Sequence, residues 1–334
     1  NPFVGVRSFG EDDADRFFGR ERLVDEIIGR IEAGRNFIAL VGSSGSGQSS
    51  VLHAGLVNAC CVRATEGAEQ WLIARMVPGS DPFRELAAAL SRASPDEPHG
   101  LDGLLADAED GALRACLRLL PAPGSRVLVV IDQFEELFTL GATRTTRDRF
   151  IRNLEVALDD PDGRVVIAIG LRADFYGRPL EYPVFAQALA DGIVNVVPLT
   201  PEEFEAAAER PAAQAGAALE PALLVRLLSD VAGQASGLPR FQYALTEVVD
   251  QRDGALLTYA AYEAIDGHSG AIARRAEDLF LELTDNERDV AKQLFLRLVT
   301  IDEQGAWGRR RVAGGEIASI SDDLVALEVV LHQF

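Results

Sequence analysis

The chain has 334 residues, of which 48% are hydrophobic and 25% are charged, a composition that fits a globular protein and excludes a disordered one. Its formal net charge of −20 argues against binding to nucleic acid or to anionic membranes, because both repel an acidic surface. No apolar run approaches the roughly 18 to 20 residues that span a bilayer. No secretory leader is visible, and the cysteines lack metal-type spacing. A reduced, cytoplasmic setting is therefore predicted.

The first predicted elements are a helix and a buried strand. Residues 1–36 read as a leader followed by a helix, since Leu23, Ile27 and Ile31 share one face at helical spacing. The run FIALVG is wholly apolar and ends in glycine, which is typical of a strand buried on both faces of a parallel sheet. The next segment, QSSVLHAGLVNAC, is predicted to continue as a helix.

Four further apolar runs follow: QWLIARMVP, RVLVVID, RVVIAIGLR and GIVNVVPL. Helical patterns lie between several of them. Strands that alternate with helices predict an α/β domain with a parallel sheet, here of five strands over residues 37–199.

The chain beyond residue 199 is predicted to be largely helical. TPEE at 200–203 and TDNE at 284–287 are capping boxes that open helices. The first opens a helical domain over residues 200–257, in which no further strand is expected. The second lies in a third domain, 258–334, where WGRRRV could form a short β wing. The chain reads as a piece of a longer protein, since it begins without methionine.

The stretch VGSSGSGQSS has the glycine spacing of a phosphate-binding loop. In such loops backbone N–H groups point at phosphate oxygens, and the helix that follows presents its positive N-terminus. Ser49 stands where these loops place the hydroxyl that holds Mg²⁺. The spacing alone can arise by chance, but the buried strand before it and the helix after it favour a genuine loop. The predicted nucleotide-binding residues of this loop are Gly42, Ser43, Ser44, Gly45, Ser46, Gly47, Gln48, Ser49 and Ser50.

An acidic strand end agrees with the loop. RVLVVIDQFEELF is an apolar strand that ends in Asp132, and a carboxylate in this position can hold Mg²⁺, often through water. Glu135 or Glu136 could polarise an attacking water, with Gln133 orienting it. The alternative for the two glutamates is a helix start that is enriched in acids because of the helix dipole.

Arg172 is a candidate sensor of the γ-phosphate. The strand WLIARMVP lies between the loop and the acidic strand, and this extra strand marks the division of P-loop NTPases with sheet order 5-1-4-3-2. In that order VVIAIGLRADF lies beside the loop strand, so Arg172 at its end would point at the nucleotide. The alternative is an ion pair with Asp174 or another nearby acid.

Taken together, these residues resemble the STAND class of signal-transducing NTPases, specifically the bacterial novel STAND NTPase 1 group. The resemblance covers essentially the whole chain and lies, in this order, in NPFVGVRSFGEDDADRFFGRERLVDEI, VGSSGSGQSSVLHAGL, DQFEELF, LTPEEFEAAAERPA, SGLPRFQYALTEV, LTYAAYEAIDGHSGAIARRAE and ERDVAKQLFLRLV. It implies an α/β P-loop NTPase domain followed by a helical lid domain and a winged-helix-like domain.

The resemblance also implies a function and further site residues. The chain would be an ATP-operated switch, closed and monomeric with ADP and open and homo-oligomeric with ATP, with Mg²⁺ as the accompanying ion. Phe18, Gly19 and Arg20 would lie near the adenine, and Pro239 would contact the nucleotide from the helical lid. Phe18 could instead be a core residue, and the GLP sequence an ordinary helix start. An effector domain and WD40-type or helical repeats are expected outside this segment.

Gln48 departs from the family pattern, which has lysine at this position. Glutamine is neutral, has a shorter reach and offers only amide donors, which puts hydrolysis in doubt. Three hypotheses therefore stay open: a nucleotide switch with impaired hydrolysis, a catalytically dead pseudo-NTPase scaffold, and the central regulatory domain of a larger transcriptional activator or defence protein. Direct DNA binding by this segment is not favoured, because its basic islands RRAE and GRRRV are small in a chain of net charge −20.

Overall fold

A computed structural model of the chain shows two compact units, Asn1–Ala261 and Tyr262–Phe334. Among the described residues no helix is both long enough and apolar enough to cross a bilayer. The structure describes all positions of the chain except 66–69, 95–99, 108, 121, 123, 140–141, 232–236, 253, 302–306, 310–311, 313, 322 and 334.

The first part of the first unit alternates strands with helices, as the sequence predicts. A short 3-10 helix, Glu11–Arg16, precedes the first α-helix. The helices and strands that follow are α1 (Glu21–Glu32), β1 (Phe37–Gly42), α2 (Gln48–Ser50), α3 (Asn58–Thr65), β2 (Trp71–Met76), α4 (Pro82–Ala93), α5 (Leu101–Asp107), α6 (Gly111–Arg118), β3 (Arg126–Ile131), α7 (Glu136–Thr139), α8 (Arg144–Leu158), β4 (Val165–Arg172), α9 (Pro183–Gly192) and β5 (Ile193–Asn195).

The central sheet has five parallel strands in the order β2-β3-β4-β1-β5, which confirms the predicted fold class and strand order. Gly42 at the end of β1 pairs with Arg172 at the end of β4. On the other side of β4, Ile131 at the end of β3 pairs with Ile169. The phosphate loop, Asp132 and Arg172 therefore all lie at one edge of the sheet, where the strands have their carboxyl ends.

Both faces of the sheet are covered, which explains why its strands read as wholly apolar runs. On one face the strands pack in a core that includes Phe134, Phe150 and Phe185. On the other face they pack against α1 and the helix after the loop, through residues such as Ile27 and Leu52. Burying a side chain of this size stabilises the fold by about 1.5 to 3 kcal/mol. The sheet edge that carries the phosphate loop is therefore supported by a hydrophobic core on each face of the sheet.

The segment after the loop is not the uniform α-helix that the sequence predicts. A π-helix, Val51–Val57, separates α2 from α3. Within it Gly55 lies against α1, where a Cβ atom would come 2.6 Å from Cγ2 of Val24. Apolar spacing over so few residues does not distinguish the two kinds of turn, so the sequence could not show it. Short π segments inside helices occur frequently at functional sites.

The second part of the first unit is mainly helical. Its first helix has the predicted capping box: the Oγ1 atom of Thr200 accepts from the Glu203 N–H at 3.2 Å, and the Glu203 carboxylate accepts from the Thr200 N–H at 3.0 Å. The elements are α10 (Pro201–Gln214), β6 (Ala218–Leu219), α11 (Pro221–Val231), α12 (Leu238–Asp250), β7 (Leu256–Leu257) and α13 (Tyr259–Ala264). The expectation of no further strand here is wrong, because β6 and β7 form a short parallel pair. Strands of two residues are too short to give an alternating pattern.

The second unit continues from α13 with helices and a β-hairpin. The helix that opens at Thr284 has the predicted capping box with Glu287. Its elements are α14 (Gly267–Glu282), α15 (Asp285–Leu298), β8 (Val299–Ile301), β9 (Trp307–Arg309), α16 (Gly314–Ala318) and α17 (Leu324–Gln333). The strands β8 and β9 are antiparallel, and β9 covers the start of the predicted wing sequence, whereas residues 310–311 lie outside the described residues. The assignment of 258–334 as a winged-helix-like domain stays a prediction.

Candidate functional site

A cavity of about 190 Å³ lies beside the phosphate loop in the first unit. Its walls come from three parts of the chain: the leader, the loop with the start of its helix, and the helical segment that follows the sheet. Most of the residues predicted for nucleotide contact lie in these walls, namely Phe18, Arg20, Gly45, Gly47, Gln48, Ser49, Ser50 and Pro239. These three parts are distant in sequence, so the cavity forms only when the chain folds, and no single local motif predicts it.

The lining of the cavity suits a ligand with a flat apolar part and an anionic part. Aromatic rings come from the leader and from α12, and include Phe17, Phe18 and Phe241. Among the described lining residues, every charged side chain is an arginine, from positions 7, 16 and 20, in a chain of net charge −20. Aromatic faces accept planar rings and guanidinium groups bind phosphate oxygens. Phe18 is half-buried, with Arg210 over its ring, so it is a wall residue rather than a core residue.

The glycines of the loop are required by its backbone. Gly45 and Gly47 have φ angles of 78° and 92°, in the left-handed region that favours glycine. Gly42 is excluded from carrying a side chain, since a Cβ atom would come 2.6 Å from Oγ of Ser46 and 2.9 Å from the carbonyl oxygen of Val196. The loop thus has the close backbone turn that directs N–H groups towards an anion.

Gln48 is bound to the main chain of the sheet. Its Nε2 atom donates to the carbonyl oxygen of Leu40 at 2.8 Å and to that of Leu171 at 2.6 Å. These carbonyls belong to the neighbouring strands β1 and β4, so the amide joins the two strand ends beneath the loop. Both of its donor hydrogens are used in this way. The side chain therefore supports the loop rather than offering a cation to a phosphate.

Asp132 lies at the end of β3 and is 6% exposed. Its Oδ1 atom accepts from the Gln133 N–H at 2.9 Å, and Nε2 of His53 lies 3.4 Å from its Oδ2 atom. His53 follows Ser49 by four positions, on the π segment after the loop. His53 could not be identified from the sequence, because no local motif links this helical residue to the aspartate after β3.

The donors at this edge fit Mg²⁺. Ser49 and Asp132 offer a hydroxyl and a carboxylate, which are hard oxygen ligands. Among the described residues no cluster of three or more acidic, histidine or cysteine side chains could hold a metal ion by itself. Mg²⁺ is commonly bound by one or two protein groups together with nucleotide phosphates.

The two glutamates after Asp132 are buried and point to different strands. Glu135 is 2% exposed, and its Oε2 atom accepts from the Arg172 N–H at 3.4 Å. Glu136 is also buried, and its Oε2 atom accepts from the Gly79 N–H at 3.2 Å, beyond the end of β2. Since β4 lies next to the loop strand and β2 lies at the far edge of the sheet, Glu135 is the glutamate on the side of the loop.

Arg172 forms the ion pair that the sequence left open as its alternative role. Its guanidinium donates to both carboxylate oxygens of Asp174, at 3.0 and 2.6 Å. The same guanidinium lies 5.4 Å from the ring centre of Phe175. In this conformation the guanidinium of Arg172, the proposed sensor, is held in a two-point ion pair with Asp174.

Arg20 joins three parts of the first unit. It is buried, and its Nη2 atom donates to the carbonyl oxygens of Ser46 in the loop, at 3.2 Å, and of Val197 after β5, at 2.8 Å. The carboxylate of Glu203 on α10 lies 3.9 Å from Nη1. Burial lowers the pKa of Arg20. Gly19 fits closely against the same helix, since a Cβ atom there would come 2.2 Å from the carbonyl oxygen of Glu203. Arg20 thus links the loop to the helical segment.

Asp13 holds the two leader arginines at the cavity. Its carboxylate forms ion pairs with Arg7 and Arg16, and it accepts from the Gly10 N–H at 2.9 Å. The hydrogen bond from Arg7 is the main cause that lowers the pKa of Asp13 to about 2. The sequence analysis did not select this cluster, because acids and arginines alternate through the leader without a recognisable motif.

The glycine loop, the acidic strand end and the sheet order β2-β3-β4-β1-β5 define a P-loop NTPase fold. Within that class the chain belongs to the novel STAND NTPase 1 family, whose model matches residues 2–334. The family resemblance of the sequence is thereby confirmed.

Solved structures show the same fold at low identity. The Aeropyrum pernix ORC2 protein, in ADPNP–ADP complexes, matches with a TM-score of 0.52 and 16% identity, over 94% of this chain and 93% of that one. The Drosophila ORC bound to DNA matches with a TM-score of 0.53 and 12% identity, over 84% and 68% of the two chains. The Walker-type ATPase paby2304 of Pyrococcus abyssi matches with a TM-score of 0.51 and 12% identity, over 98% and 91%. No curated protein matches the chain.

Proposed function

We propose that the chain is a nucleotide-operated switch that binds ATP or ADP, with Mg²⁺, in the cavity beside the loop. The observation that carries this proposal is the lining: in a chain of net charge −20, the charged residues among the described lining residues are all arginines, and they line the same cavity as a glycine loop and aromatic rings. An anion with an aromatic base fits that combination. The ADPNP–ADP complexes of the Aeropyrum pernix protein support it by analogy of fold.

Coupling to conformation would run through Arg20. Its guanidinium holds the Ser46 carbonyl of the loop and lies beside Glu203 at the start of α10. Pro239 and Leu238 of α12 line the same cavity, so helices beyond the sheet would contact the ligand directly. A nucleotide shifts such an equilibrium only as far as it contacts the two states differently. ATP would favour an open homo-oligomer and ADP a closed monomer.

Hydrolysis would be slow in this protein. The Gln48 amide is neutral and donates to Leu40 and Leu171, so it adds no charge to a transferring phosphoryl group. Asp132 and Ser49 would hold Mg²⁺. Glu135 is the better candidate to polarise water, because it lies on the side of β4 and Glu136 is held towards β2.

The domain assignment extends the proposal to the whole chain. Residues 1–36 would be the leader, 37–199 the NTPase domain, 200–257 the helical lid and 258–334 the winged-helix-like domain. The protein would act in the cytoplasm as a regulatory core, with effector and repeat domains supplied outside this segment.

The test is calorimetric titration with ATP and ADP, with and without Mg²⁺, on the wild type and on a matched pair of glycine variants. Gly47 and Gly34 have φ angles of 92° and 87°, so alanine costs about 1 to 2 kcal/mol of backbone strain at either position. Gly47 lies in the loop, whereas Gly34 has open space around it. We expect Gly47→Ala to abolish nucleotide binding and Gly34→Ala to leave the affinity unchanged. If the wild type binds neither nucleotide, the pseudo-NTPase scaffold is the correct hypothesis.

A DNA-binding role is the second candidate, because one structural neighbour is the Drosophila ORC bound to DNA. The net charge of −20 argues against it. Affinity for duplex DNA measured at several salt concentrations decides the question, since binding through phosphates falls steeply with salt.

A further inference from the structure

Gln242 is a polar residue in the cavity wall to which the proposed function gives no task. It lies on α12, is 8% exposed, and its Oε1 atom has no hydrogen-bond partner among the described residues. Buried amide oxygens are nearly always hydrogen-bonded, and leaving one unpaired is unfavourable. The Oε1 atom has less than 1 Å² of accessible surface, so a small rotation of the side chain towards the cavity would let a hydrogen-bond donor on the ligand supply the missing partner.

The helix that carries Gln242 is fixed in place. Leu238, Pro239 and Gln242 all line the cavity, and their spacing of three and four places them on one face of α12. Phe241, on the same helix, is fully buried and its ring centre lies 4.1 Å from that of Phe204 on α10. The amide therefore lies on the cavity-lining face of α12, one turn after Leu238 and beside Phe241 in the sequence.

An amide of this kind matches the edge of adenine. The carboxamide has an acceptor and a donor side by side, and adenine has a 6-amino donor beside a ring-nitrogen acceptor. Resting on the nucleotide-binding function argued above, we propose that Oε1 of Gln242 accepts a hydrogen bond from the 6-amino group of a bound adenine, which selects ATP and ADP over guanine nucleotides. Guanine has a carbonyl oxygen at the same ring position, so it offers no donor to Oε1 there.

The first experiment varies the ligand and leaves the protein unchanged. Calorimetric titration of the wild type compares ATP with purine riboside triphosphate, which has hydrogen in place of the 6-amino group. We expect the analogue to bind about 5-fold or more weakly, as the loss of one buried hydrogen bond implies. GTP should bind more weakly still, by about 5- to 150-fold relative to ATP.

The second experiment assigns the discrimination to Gln242. Gln242→Met keeps the volume and removes the acceptor, so ATP and the analogue should bind within about twofold of each other. Gln242→Glu keeps an acceptor oxygen, so the preference for ATP over the analogue should persist even if both bind more weakly. A structural role would give the opposite order, because a buried carboxylate disturbs packing more than methionine does. Gln251→Met, at the exposed end of α12, is the matched control and should retain the wild-type ratio.

The outcomes separate this inference from the function on which it rests. Absence of binding by ATP and by the analogue to the wild type overturns the proposed function, and this inference with it. Equal binding of the two ligands to the wild type overturns the inference alone. Discrimination that survives Gln242→Met also overturns it, since another group then reads the 6-amino position.

Discussion

Two parts of the cavity lining would attract an anion by different means. At the loop end the described lining residues, among them Gly45, Gly47 and Gln48, are uncharged, and attraction comes from backbone N–H groups and a helix N-terminus. The leader supplies Arg7, Arg16 and Arg20, and Arg20 also reaches the loop, where it donates to the Ser46 carbonyl oxygen at 3.2 Å. In P-loop proteins with the usual lysine, the loop end carries a positive charge of its own. Here the arginines come from the leader, and each has an acidic neighbour: Asp13 beside Arg7 and Arg16, and Glu203 beside Arg20.

The absence of a cation from the loop should affect phosphoryl transfer more than it affects nucleotide binding. Backbone amides and the leader guanidinium groups would contribute to binding in the ground state. A phosphoryl group in transfer needs charge at the reacting oxygens, and only the loop end is placed to supply it. Gln48 instead stabilises the ends of β1 and β4 through Leu40 and Leu171. The comparison predicts a site that binds better than it hydrolyses.

The largest expected effect comes from adding the missing charge. Gln48→Lys should raise phosphate release by roughly 100- to 1,000-fold, the range reported for one stabilising donor at a developing charge. ATP affinity should rise less, by about 5- to 150-fold, since desolvation of the ammonium offsets part of the Coulomb attraction. Phosphate release and calorimetric titration on both forms measure the two changes.

Gln48→Met, measured in the same assays, distinguishes the effect of an added positive charge from the effect of losing the hydrogen bonds of Gln48 to the strand ends. It removes both hydrogen bonds to the strand ends and adds no charge, so it should lower the free energy of unfolding by about 1 to 2 kcal/mol without raising turnover. If methionine accelerates hydrolysis as lysine does, release of the strand ends and not the charge is the cause.

Asp132→Asn tests the metal at the same end of the cavity. Asparagine can still accept from the Gln133 N–H, so the local backbone should be kept. We expect ATP affinity in Mg²⁺ to fall roughly 10- to 100-fold, as for groups that hold a metal through water, and affinity in chelator to be unchanged. Equal losses with and without Mg²⁺ would exclude Asp132 from the metal site.

The parts of this site that could be predicted from sequence are those set by local order. An apolar run followed by spaced glycines specifies a strand, a loop and a helix start, and another apolar run ending in an acid specifies Asp132. The strand order followed from the position of the extra strand. The contact between Gln48 and Leu171 could not be predicted in this way, because it spans 123 positions and depends on how two strands end. The same holds for His53 beside Asp132.

Arg172→Ala should have a moderate effect at the γ-phosphate. A sensor has nothing to contact in ADP, so ATP affinity should fall about 5- to 10-fold with ADP affinity unchanged. The effect is limited because the guanidinium must first leave Asp174. For the same reason Asp174→Asn should increase the preference for ATP. Equal weakening of both nucleotides by Arg172→Ala would leave the ion pair as the whole role of this arginine.

The smallest expected effect lies at the leader end, where Asp13 holds Arg7 and Arg16. The pKa of Asp13 is lowered to about 2 from its ordinary value of 3.8, so the ionised carboxylate favours the folded state. This contribution is fully present above about pH 4 and is lost as the pH falls towards 2.

Asp13→Asn should therefore lower the free energy of unfolding by about 1 kcal/mol at neutral pH, since each partner arginine remains partly exposed. The difference from the wild type should shrink as denaturation is repeated from pH 5 down to pH 2, because the wild-type carboxylate is then progressively protonated. Asp12→Asn, at the exposed neighbouring position, is the control and should show no such trend. A destabilisation by Asp13→Asn that stays constant over this range would mean that Asp13 acts through packing, and that its charge does not hold the leader arginines at the cavity.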